Sequence, residues 1–344
     1  MRPTIHTVAE RAGVSIATVS RYLNGSARLG PATAIKVRRA IDELGYVPNA
    51  AARGLAMQST ETLALVFPRL SGPFFSELIR GAESAAQEMG YHLLIYGASN
   101  DNTKMVPTLA AKVDGLILAS EGICLGCLET LQQRDTPVVV LGRTTRHASV
   151  DSLRPENIGG AQTAVTHLLG HGYRRIAMIA GPRTQQHAAD RERGYEMALQ
   201  SHGIPYDPAL VVYGDFGEAS GYRTMQDLLF QTKPIDAVFA ANDQMAIGAL
   251  AAAGEAGIRV PEDVALIGFD DITAACYAQP PLTTVHQDMH GQGHLAVRML
   301  LARIGGSTEA TVTEVTPTEL VVRRSCGCRA DGSRMRINNR MVHN

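Results

Sequence analysis

Apolar positions near the start of the chain recur at helical spacing and predict two short helices joined by a tight turn. Val8, Ala9 and Ala12 share one face of the first helix, and Gly13 supplies the turn that follows it. Ser15 is positioned to cap the second helix through its hydroxyl group. The pattern therefore predicts a helix-turn-helix unit at this end of the chain.

The second of these helices has one apolar face and one mixed face. Val19 and Leu23 are spaced to point inward, so the opposite side chains remain exposed. A helix of this kind can enter the DNA major groove by its N-terminus, where an arginine pairs with guanine through two hydrogen bonds. The side chains expected on the exposed face are Ile16, Ala17, Ser20 and Arg21.

A third helix is predicted over 32–44, where apolar positions again recur at helical spacing before Gly45 ends the pattern. Lys36, Arg38 and Arg39 lie off its apolar stripe. Two interpretations of these cations stay open, because the same spacing suits contacts to DNA phosphates and an ordinary solvated basic face.

Residues 49–56 form a short alanine-rich segment that Asn49 can cap. A helix of about two turns is marginal alone in water. One interpretation is therefore a plain linker. The other is a hinge helix that folds only on DNA and inserts Leu55, with Arg53 beside it, into the minor groove to kink the duplex.

From residue 62 onward, short apolar runs alternate with helical patterns in two similar halves. Such alternation is typical of parallel sheets covered by helices, which bind ligands beyond the carboxyl ends of their strands. The sequence therefore predicts two doubly wound subdomains with a ligand cleft between them. The predicted strands cover 63–67, 92–96, 115–119, 137–141, 175–180, 209–213, 237–240 and 264–269. The predicted helices cover 74–90, 157–171, 184–202, 219–230, 244–254 and 286–304.

The predicted fold class is a small all-α helix-turn-helix head joined by a hinge helix to an α/β body of two doubly wound subdomains. The helix over 286–304 is expected to return to the first half, so the chain crosses between subdomains more than once. The predicted segments are the head 1–47, the hinge helix and linker 48–59, the body 60–325 and a disordered tail 326–344. The first subdomain is expected to hold 60–154 and 286–316, and the second 155–285 and 317–325.

Charge is distributed unevenly along this chain of 344 residues. Residues 1–60 carry eight Lys or Arg against three Asp or Glu, a net charge of +5, which leaves −6 for the remainder of a chain whose net charge is −1. A basic head on an acidic body suits a polyanionic partner for the head alone. Five cysteines fit a reducing cytoplasm better than a disulfide framework. Neither a signal peptide nor an apolar run of ~20 residues is found, so no membrane association is expected.

The N-terminal residues closely resemble the head of the lactose-repressor/galactose-repressor (LacI/GalR) family of transcription regulators. The resemblance implies that Ile16, Ala17 and Arg21 contact base edges. It also implies that Ser15, Thr18 and Asn24 touch phosphate or support the fit, and that Leu55 intercalates at the operator centre. The stretches that carry it are Val8-Ala9, Ala12-Gly13-Val14-Ser15, Thr18-Val19-Ser20-Arg21, Leu23-Asn24-Gly25 and Gly45-Tyr46-Val47-Pro48-Asn49. The residues expected to bind DNA are Ser15, Ile16, Ala17, Thr18, Arg21, Asn24, Asn49, Arg53 and Leu55.

The body is also similar to this family, whose fold is shared with periplasmic sugar-binding proteins, and the stretches 172–177, 240–246 and 266–270 are characteristic. Asn242 and Asp270 each follow an apolar strand, where a ligand group and a turn or cap residue are both common. An amide and a carboxylate together suit a polyol.

Arg191 on its own would be a surface side chain or a donor to hydroxyl or carboxylate groups. The resemblance implies that it faces the cleft and that Phe216 presents a ring to the effector. Phe74 and Asp101 are further candidates from the first half. The segment 101–113 is shorter than is usual in the family, which leaves room for little helix there.

Other signals of chemistry are weak. The pairs Cys124 with Cys127 and Cys326 with Cys328 lack a nearby matched set of ligands, so no metal is expected. The sequence holds no HExxH motif, no GxSxG elbow and no phosphate-binding loop, so neither catalysis nor a cofactor is expected. Residues 329–344 lack leucine heptads, which favours a dimer over a tetramer.

The sequence thus predicts a cytoplasmic homodimeric repressor that binds a pseudo-palindromic operator in double-stranded DNA. Its effector is expected to be a monosaccharide or related polyol bound between the subdomains. The resemblance is compatible with induction, which is common among sugar-binding relatives, and with corepression, which occurs among purine-binding ones. The alternatives are a sugar-binding receptor without a DNA role, which the head and the missing export signal oppose, and an enzyme on the same fold, for which no catalytic pair is found.

Overall fold

The computed structural model describes residues 3–23, 29–47, 59–67, 73–97, 105–119, 125–142, 150–230, 234–307 and 310–328. The chain divides into two units, residues 1–61 and residues 62–344. Each unit has its own apolar core.

The first unit is a bundle of three helices, which confirms the helix-turn-helix predicted from the apolar spacing. Its core is small and made of side chains at helical spacing, with Val8, Val19 and Val37 fully buried. Gly13 ends the first helix in the left-handed conformation, at φ 66°, which glycine adopts without steric strain. The helices are α1 (Ile5–Ala12), α2 (Ile16–Leu23) and α3 (Pro31–Leu44).

Six parallel strands form the first sheet of the second unit, in the order β11-β5-β4-β3-β1-β2. Its central strands are buried on both faces, as expected for a sheet covered by helices. The strands are β1 (Thr62–Phe67), β2 (His92–Gly97), β3 (Gly115–Leu118), β4 (Val138–Leu141), β5 (Asp151–Pro155) and β11 (Thr313–Thr316). The helices of this subdomain are α4 (Pro73–Glu88), α5 (Val106–Ala110), α6 (Leu125–Gln133) and α12 (Met289–Ile304).

The second sheet is also parallel, with the strand order β7-β6-β8-β9. The largest apolar core among the described residues packs around it. Its strands are β6 (Ile176–Ala180), β7 (Val211–Tyr213), β8 (Ala237–Ala240) and β9 (Ala265–Ile267). Its helices are α7 (Asn157–Gly170), α8 (Gln186–Ser201), α9 (Glu218–Leu229), α10 (Asp243–Glu255) and the short α11 (Thr273–Tyr277).

The chain passes between the two subdomains three times, at 155–157, 287–289 and 316–318. β5 belongs to the first sheet whereas α7 packs on α8, and α12 returns to pack on α4. Two antiparallel strands, β10 (Thr284–Gln287) and β12 (Thr318–Val321), lie next to the crossings. The two α/β subdomains predicted from the sequence are therefore present.

Several predicted elements require correction. Residues 284–287 form a strand, so the helix predicted over 286–304 begins only at Met289, where the Asp288 side chain accepts from the Gly291 N–H at 2.8 Å. β5 and α6 were not predicted. The expectation of little helix after residue 101 is confirmed, because α5 has five residues.

The ordered body continues past its predicted end at residue 325. Cys326 is fully buried against the second core, and Cys328 packs beside it. The remainder of the predicted tail, 329–344, lies outside the described residues. None of the described helices is long and apolar enough to cross a membrane.

Glycine allows the closest approach between helices of the second subdomain. α9 and α10 cross at Gly221 and Gly248, and a Cβ atom at Gly248 would overlap the carbonyl oxygen of Glu218. A Cβ atom at Gly221 would likewise overlap the backbone of Met245. Because the obstacle is backbone in both cases, neither helix can yield without moving as a whole.

This packing predicts that Gly248→Ala lowers the free energy of unfolding of the body by about 1–3 kcal/mol, because the added methyl group overpacks the helix crossing. Urea unfolding followed by circular dichroism measures the change. Gly254→Ala is the matched control in the same helix, since nothing lies within 4 Å of its Cβ position. It should be neutral or stabilising by roughly 0.5 kcal/mol. Equal stability of the two variants would contradict this account of the crossing.

Candidate functional site

The exposed face of α2 carries the side chains predicted to read DNA. Ile16 is 41% exposed, and Ala17 and Arg21 are also exposed, whereas Val19 is buried beneath them. An exposed isoleucine beside an alanine gives this face an apolar patch that a thymine methyl group could cover. The face is therefore available for a ligand in the way the sequence predicted.

Ser15 and Thr18 build the start of α2. The Ser15 hydroxyl accepts from the Thr18 N–H at 3.2 Å, and the two hydroxyl groups lie 2.9 Å apart. This confirms Ser15 as the cap of the helix. The free N–H groups of such a helix start, together with the hydroxyls, suit contacts to phosphate oxygens.

The cations of the head differ in how they are held. Arg11 and Arg39 both bind Glu43, at 2.8 and 2.7 Å, and their hydrogen bonds lower the pKa of that carboxyl group. Arg21 is exposed and donates through Nε to the carbonyl oxygen of Ala17, at 3.2 Å. Among the described residues, no carboxylate forms an ion pair with Arg21.

Four predicted DNA-binding residues cannot be placed. Asn24, Asn49, Arg53 and Leu55 lie outside the described residues. The two interpretations of 49–56, linker and hinge helix, therefore both stand.

In the body, the predicted Arg191 is the centre of a buried polar cluster. It is 3% exposed and donates from Nε to Asn157 Oδ1 at 2.9 Å. Its Nη1 donates to the Ala241 carbonyl oxygen at 2.5 Å and to Asp270 Oδ1 at 3.3 Å. The guanidinium carbon lies 3.7 Å from the centroid of the Phe269 ring. Arg191 is not the surface side chain that its helix alone would suggest.

Strand ends and a helix start bring these partners together. Ala241 follows β8, Asp270 follows β9, and Asn157 is the first residue of α7. Parallel strands place their carboxyl ends along one edge of the sheet, which is where such sheets bind ligands. Arg191 and Asp270, chosen from the sequence as effector-binding residues, are thus in direct contact at this edge.

The carboxyl groups of this cluster are strongly perturbed by burial. Burial raises the pKa of Asp270, against the opposing effects of Arg191 and of Gln287, whose Nε2 donates to Asp270 Oδ1 at 2.6 Å. Burial also raises the pKa of Asp243 well above its ordinary value, and the nearby Asp270 adds to that shift. Asp243 accepts a hydrogen bond from the Ile272 N–H at 2.9 Å, which holds its carboxyl group in place.

Asn242 and Phe216 are coupled to each other. Asn242 caps α10, because its Oδ1 accepts from the Met245 N–H at 3.0 Å, and its Nδ2 donates to the Phe216 carbonyl oxygen at 3.0 Å. Phe216 has a positive φ of 69°, and its ring stacks on His187 with 5.1 Å between centroids. The cap role left open by the sequence therefore applies to Asn242, and this cap also holds the loop that carries Phe216.

Sequence reasoning missed two polar residues of the cluster. Asn157 and Gln287 are buried partners of Arg191 and Asp270. In the described part of the chain, Asn157 Nδ2 and Gln287 Oε1 are buried without a hydrogen-bond partner. One unused donor and one unused acceptor thus flank the ion pair. The only sequence feature that could have pointed to Asn157 and Gln287 is their position beside the predicted crossings between the subdomains.

The side chains of two effector-binding candidates from the first subdomain fall outside the described part of the chain. The side chain of Phe74 and all of Asp101 lie outside the described residues, so neither candidate can be placed. The same holds for the segments that follow β1 to β4, at 68–72, 98–104, 120–124 and 143–149.

Models of two known protein families match this chain, one in the head and one in the body. Residues 4–49 match the family described as bacterial regulatory proteins, lacI family. Residues 165–326 match the periplasmic binding protein-like domain.

Named relatives match over nearly the whole length. The chain is 41% identical over 334 residues to the HTH-type transcriptional regulator CelR of Thermobifida fusca, covering 94% of this chain and 98% of the relative. It is 37% identical over 335 residues to the HTH-type transcriptional repressor PurR of Edwardsiella ictaluri, covering 96% and 97%.

Solved structures show the same architecture. The lac repressor dimer bound to operator and the anti-inducer ONPF superposes with a TM-score of 0.86 at 28% identity, covering 95% of this chain and 99% of that one. A complex of the transcriptional regulator CelR with cellobiose gives a TM-score of 0.72 at 39% identity, covering 94% and 100%. With its helix-turn-helix head and two-subdomain body, the chain belongs to the LacI family of DNA-binding bacterial transcriptional regulators.

Proposed function

We propose that this regulator is a homodimeric repressor whose affinity for a pseudo-palindromic operator is set by a sugar bound between the two subdomains of its body. The observation that carries the proposal is the buried cluster around Arg191 at the carboxyl edge of the second sheet. It holds unused polar atoms beside an ion pair, in a body fused to a helix-turn-helix head.

The exposed face of α2 supports reading of base edges. Arg21 is exposed, so its guanidinium group would pair with guanine, and the exposed side chains of Ile16 and Ala17 offer methyl contacts that favour thymine. Ser15 and Thr18 at the start of the helix suit the neighbouring phosphates. The two kinds of contact together would fix both the register and the sequence of a half-site.

Two heads meeting two half-sites account for a palindromic operator. The similarity to a lac repressor dimer bound to operator supports a homodimer of this chain on DNA. The hinge residues Asn49, Arg53 and Leu55 would then lie between the half-sites, where Leu55 kinks the operator.

The chemistry of the cluster suits a sugar. A hydroxyl group both donates and accepts, so it can pair with the unused donor of Asn157 and the unused acceptor of Gln287. The charged groups of Arg191 and Asp270 strengthen hydrogen bonds to such a ligand. The complex of the similar regulator CelR with cellobiose supports the same class of effector.

The position of the cluster offers a route from effector to DNA. Asn157 and Gln287 lie at two of the three crossings, so a ligand that draws on them acts directly on the segments that join the subdomains. The ligand changes DNA affinity only by its different affinity for the two placements of the subdomains. Moved subdomains would then hold or release the hinge segments.

The operator is tested by selecting bound sites from a random duplex library with the full-length protein. A palindromic site should be enriched by the wild type, and binding should weaken as salt rises. Arg21→Ala should lower affinity for that site about 5- to 150-fold and relax the choice of base at one position of each half-site, since a guanine contact is worth about 1–3 kcal/mol.

Arg298→Ala is the control for this loss of charge, because Arg298 is an exposed arginine on α12 of the body. It should select the same site with the affinity of the wild type. Enrichment of an asymmetric site, or unchanged base preference in Arg21→Ala, would contradict the proposed mode of reading.

The effector is tested by isothermal titration of the full-length protein with a panel of mono- and disaccharides and of purines. A sugar should bind, and Arg191→Lys should weaken it at least ~10-fold, because lysine keeps the charge but loses the fork of donors that reaches Asn157 and Asp270. Addition of the same sugar should change operator affinity in the wild type.

Arg193→Ala is the matched control on α8, since Arg193 is exposed two residues from the buried Arg191. Circular dichroism of both variants separates lost binding from lost folding. Binding of a purine alone, or a sugar affinity that is equal in Arg191→Lys and the wild type, would refute the assignment of the cluster to a sugar.

A further inference from the structure

Four potential metal ligands converge at the far end of α7, away from the cluster around Arg191. They are His167, His171, Cys326 and Cys328, and their ligand atoms all lie within 4.8 Å of one another. His167 Nε2 lies 3.4 Å from Cys326 Sγ and 3.5 Å from Cys328 Sγ. His171 Nε2 lies 3.1 Å from Cys328 Sγ.

These separations match the edges of a tetrahedral zinc site. Zinc binds sulfur at about 2.3 Å and nitrogen at about 2.0–2.1 Å, so neighbouring ligand atoms in a tetrahedron lie about 3.3–3.8 Å apart. The three nitrogen–sulfur distances are close to this range before any ion is added. A small shift of the exposed His171 ring would complete the geometry.

Local structure explains how the ligands come together. His167 and His171 are four residues apart, which places both imidazoles on one face at the end of α7, with 4.7 Å between ring centroids. Gly327, at φ 93°, turns the backbone so that the thiols on either side of it point toward the same histidines. A side chain at Gly327 would also meet the Tyr173 hydroxyl group.

Outer contacts orient the buried ligand. Cys326 is fully buried, and its sulfur lies 3.1 Å from the Thr283 hydroxyl group, which donates to it. The Tyr173 hydroxyl group donates to the Cys326 carbonyl oxygen at 3.4 Å. A donor aimed at a metal-bound thiolate is the arrangement that typically fixes such ligands in place.

We propose that His167, His171, Cys326 and Cys328 bind one zinc ion. Two imidazoles and two thiols form a donor set that zinc prefers. Hydrogen bonds between thiols and imidazoles would not by themselves require all four ligand atoms to converge on one position. The sequence did not predict this site, because its two halves are separated by most of the second subdomain.

With four protein ligands the site has no open position, which is typical of structural rather than catalytic zinc. It would join the segment that follows β12 to the C-terminal end of α7. Since all four ligands belong to the second subdomain, zinc would stabilise that subdomain without bridging the cleft. Binding free energy of the ion would then appear as folding free energy.

The test measures the metal content of untagged full-length protein, kept in a phosphine reductant, after reconstitution with zinc and desalting. About one zinc ion per chain should remain in the wild type. Cys328→Ser and His171→Ala should each lower zinc affinity by more than ~100-fold, and His171 is exposed, so its loss should leave the fold intact. Cobalt(II) in place of zinc should give the visible spectrum of a tetrahedral site with thiolate ligands.

Cys276→Ser and His202→Ala are the controls, because each removes an exposed side chain of the same type outside the cluster. Both should keep the zinc and the cobalt spectrum. A chelator should lower the melting temperature of the wild type and of the controls but not that of Cys328→Ser. Wild-type protein without retained zinc, or Cys328→Ser with the wild-type zinc content, would overturn the proposal.

Discussion

The second subdomain is organised around the burial of one positive charge. A guanidinium group removed from water costs several kcal/mol unless its hydrogen bonds and charge are satisfied. Arg191 is satisfied by Asn157, Ala241 and Asp270 and is covered by the Phe269 ring. These partners come from a helix start and from two strand ends, so the fold must place all of them correctly at once. The carboxyl edge of the sheet is therefore held in place by its own residues, and such preorganisation would lower the entropy lost on binding of the proposed sugar.

The parts of the fold that the sequence predicted are those whose signals are local. β8 was predicted with both of its ends correct, because it is a short apolar run between turn residues. β5 was missed because it begins with a charged residue, Asp151. The carboxylate of Asp151 can be buried only because residues far along the chain donate hydrogen bonds to it. Arg303 donates to that carboxylate from Nε at 2.7 Å, and the Val312 N–H donates to it at 2.9 Å. A strand whose stabilising partners lie more than a hundred residues away has no local hydrophobic periodicity that would predict it.

The same distinction applies to the sites. Asp270 was selected because it follows an apolar strand, and Arg191 because the family resemblance implies that it faces the cleft; the structure places the two in contact. Asn157 and Gln287 have ordinary surroundings in the sequence, and only the meeting of two crossings makes them partners of that pair. The cysteine pair at 326–328 was set aside for want of nearby ligands, since spacing rules for metal sites detect ligands that share one short segment. Here the histidines are supplied by a helix far back in the chain.

α7 connects these features and limits where the body can bend. Its first residue, Asn157, is hydrogen-bonded to Arg191, and the two histidines near its other end lie against Cys326 and Cys328 of the same subdomain. At this crossing, motion between the subdomains would therefore occur before α7 begins. The Glu156 N–H donates to the Thr316 carbonyl oxygen at 2.9 Å, and the Thr318 hydroxyl group donates to the Glu156 carbonyl oxygen at 3.2 Å. Two of the three crossings are thus hydrogen-bonded to each other. Under the proposed function they would turn as a single hinge, and Gln287 on the third crossing would be the point where a ligand held by Asp270 biases that turn.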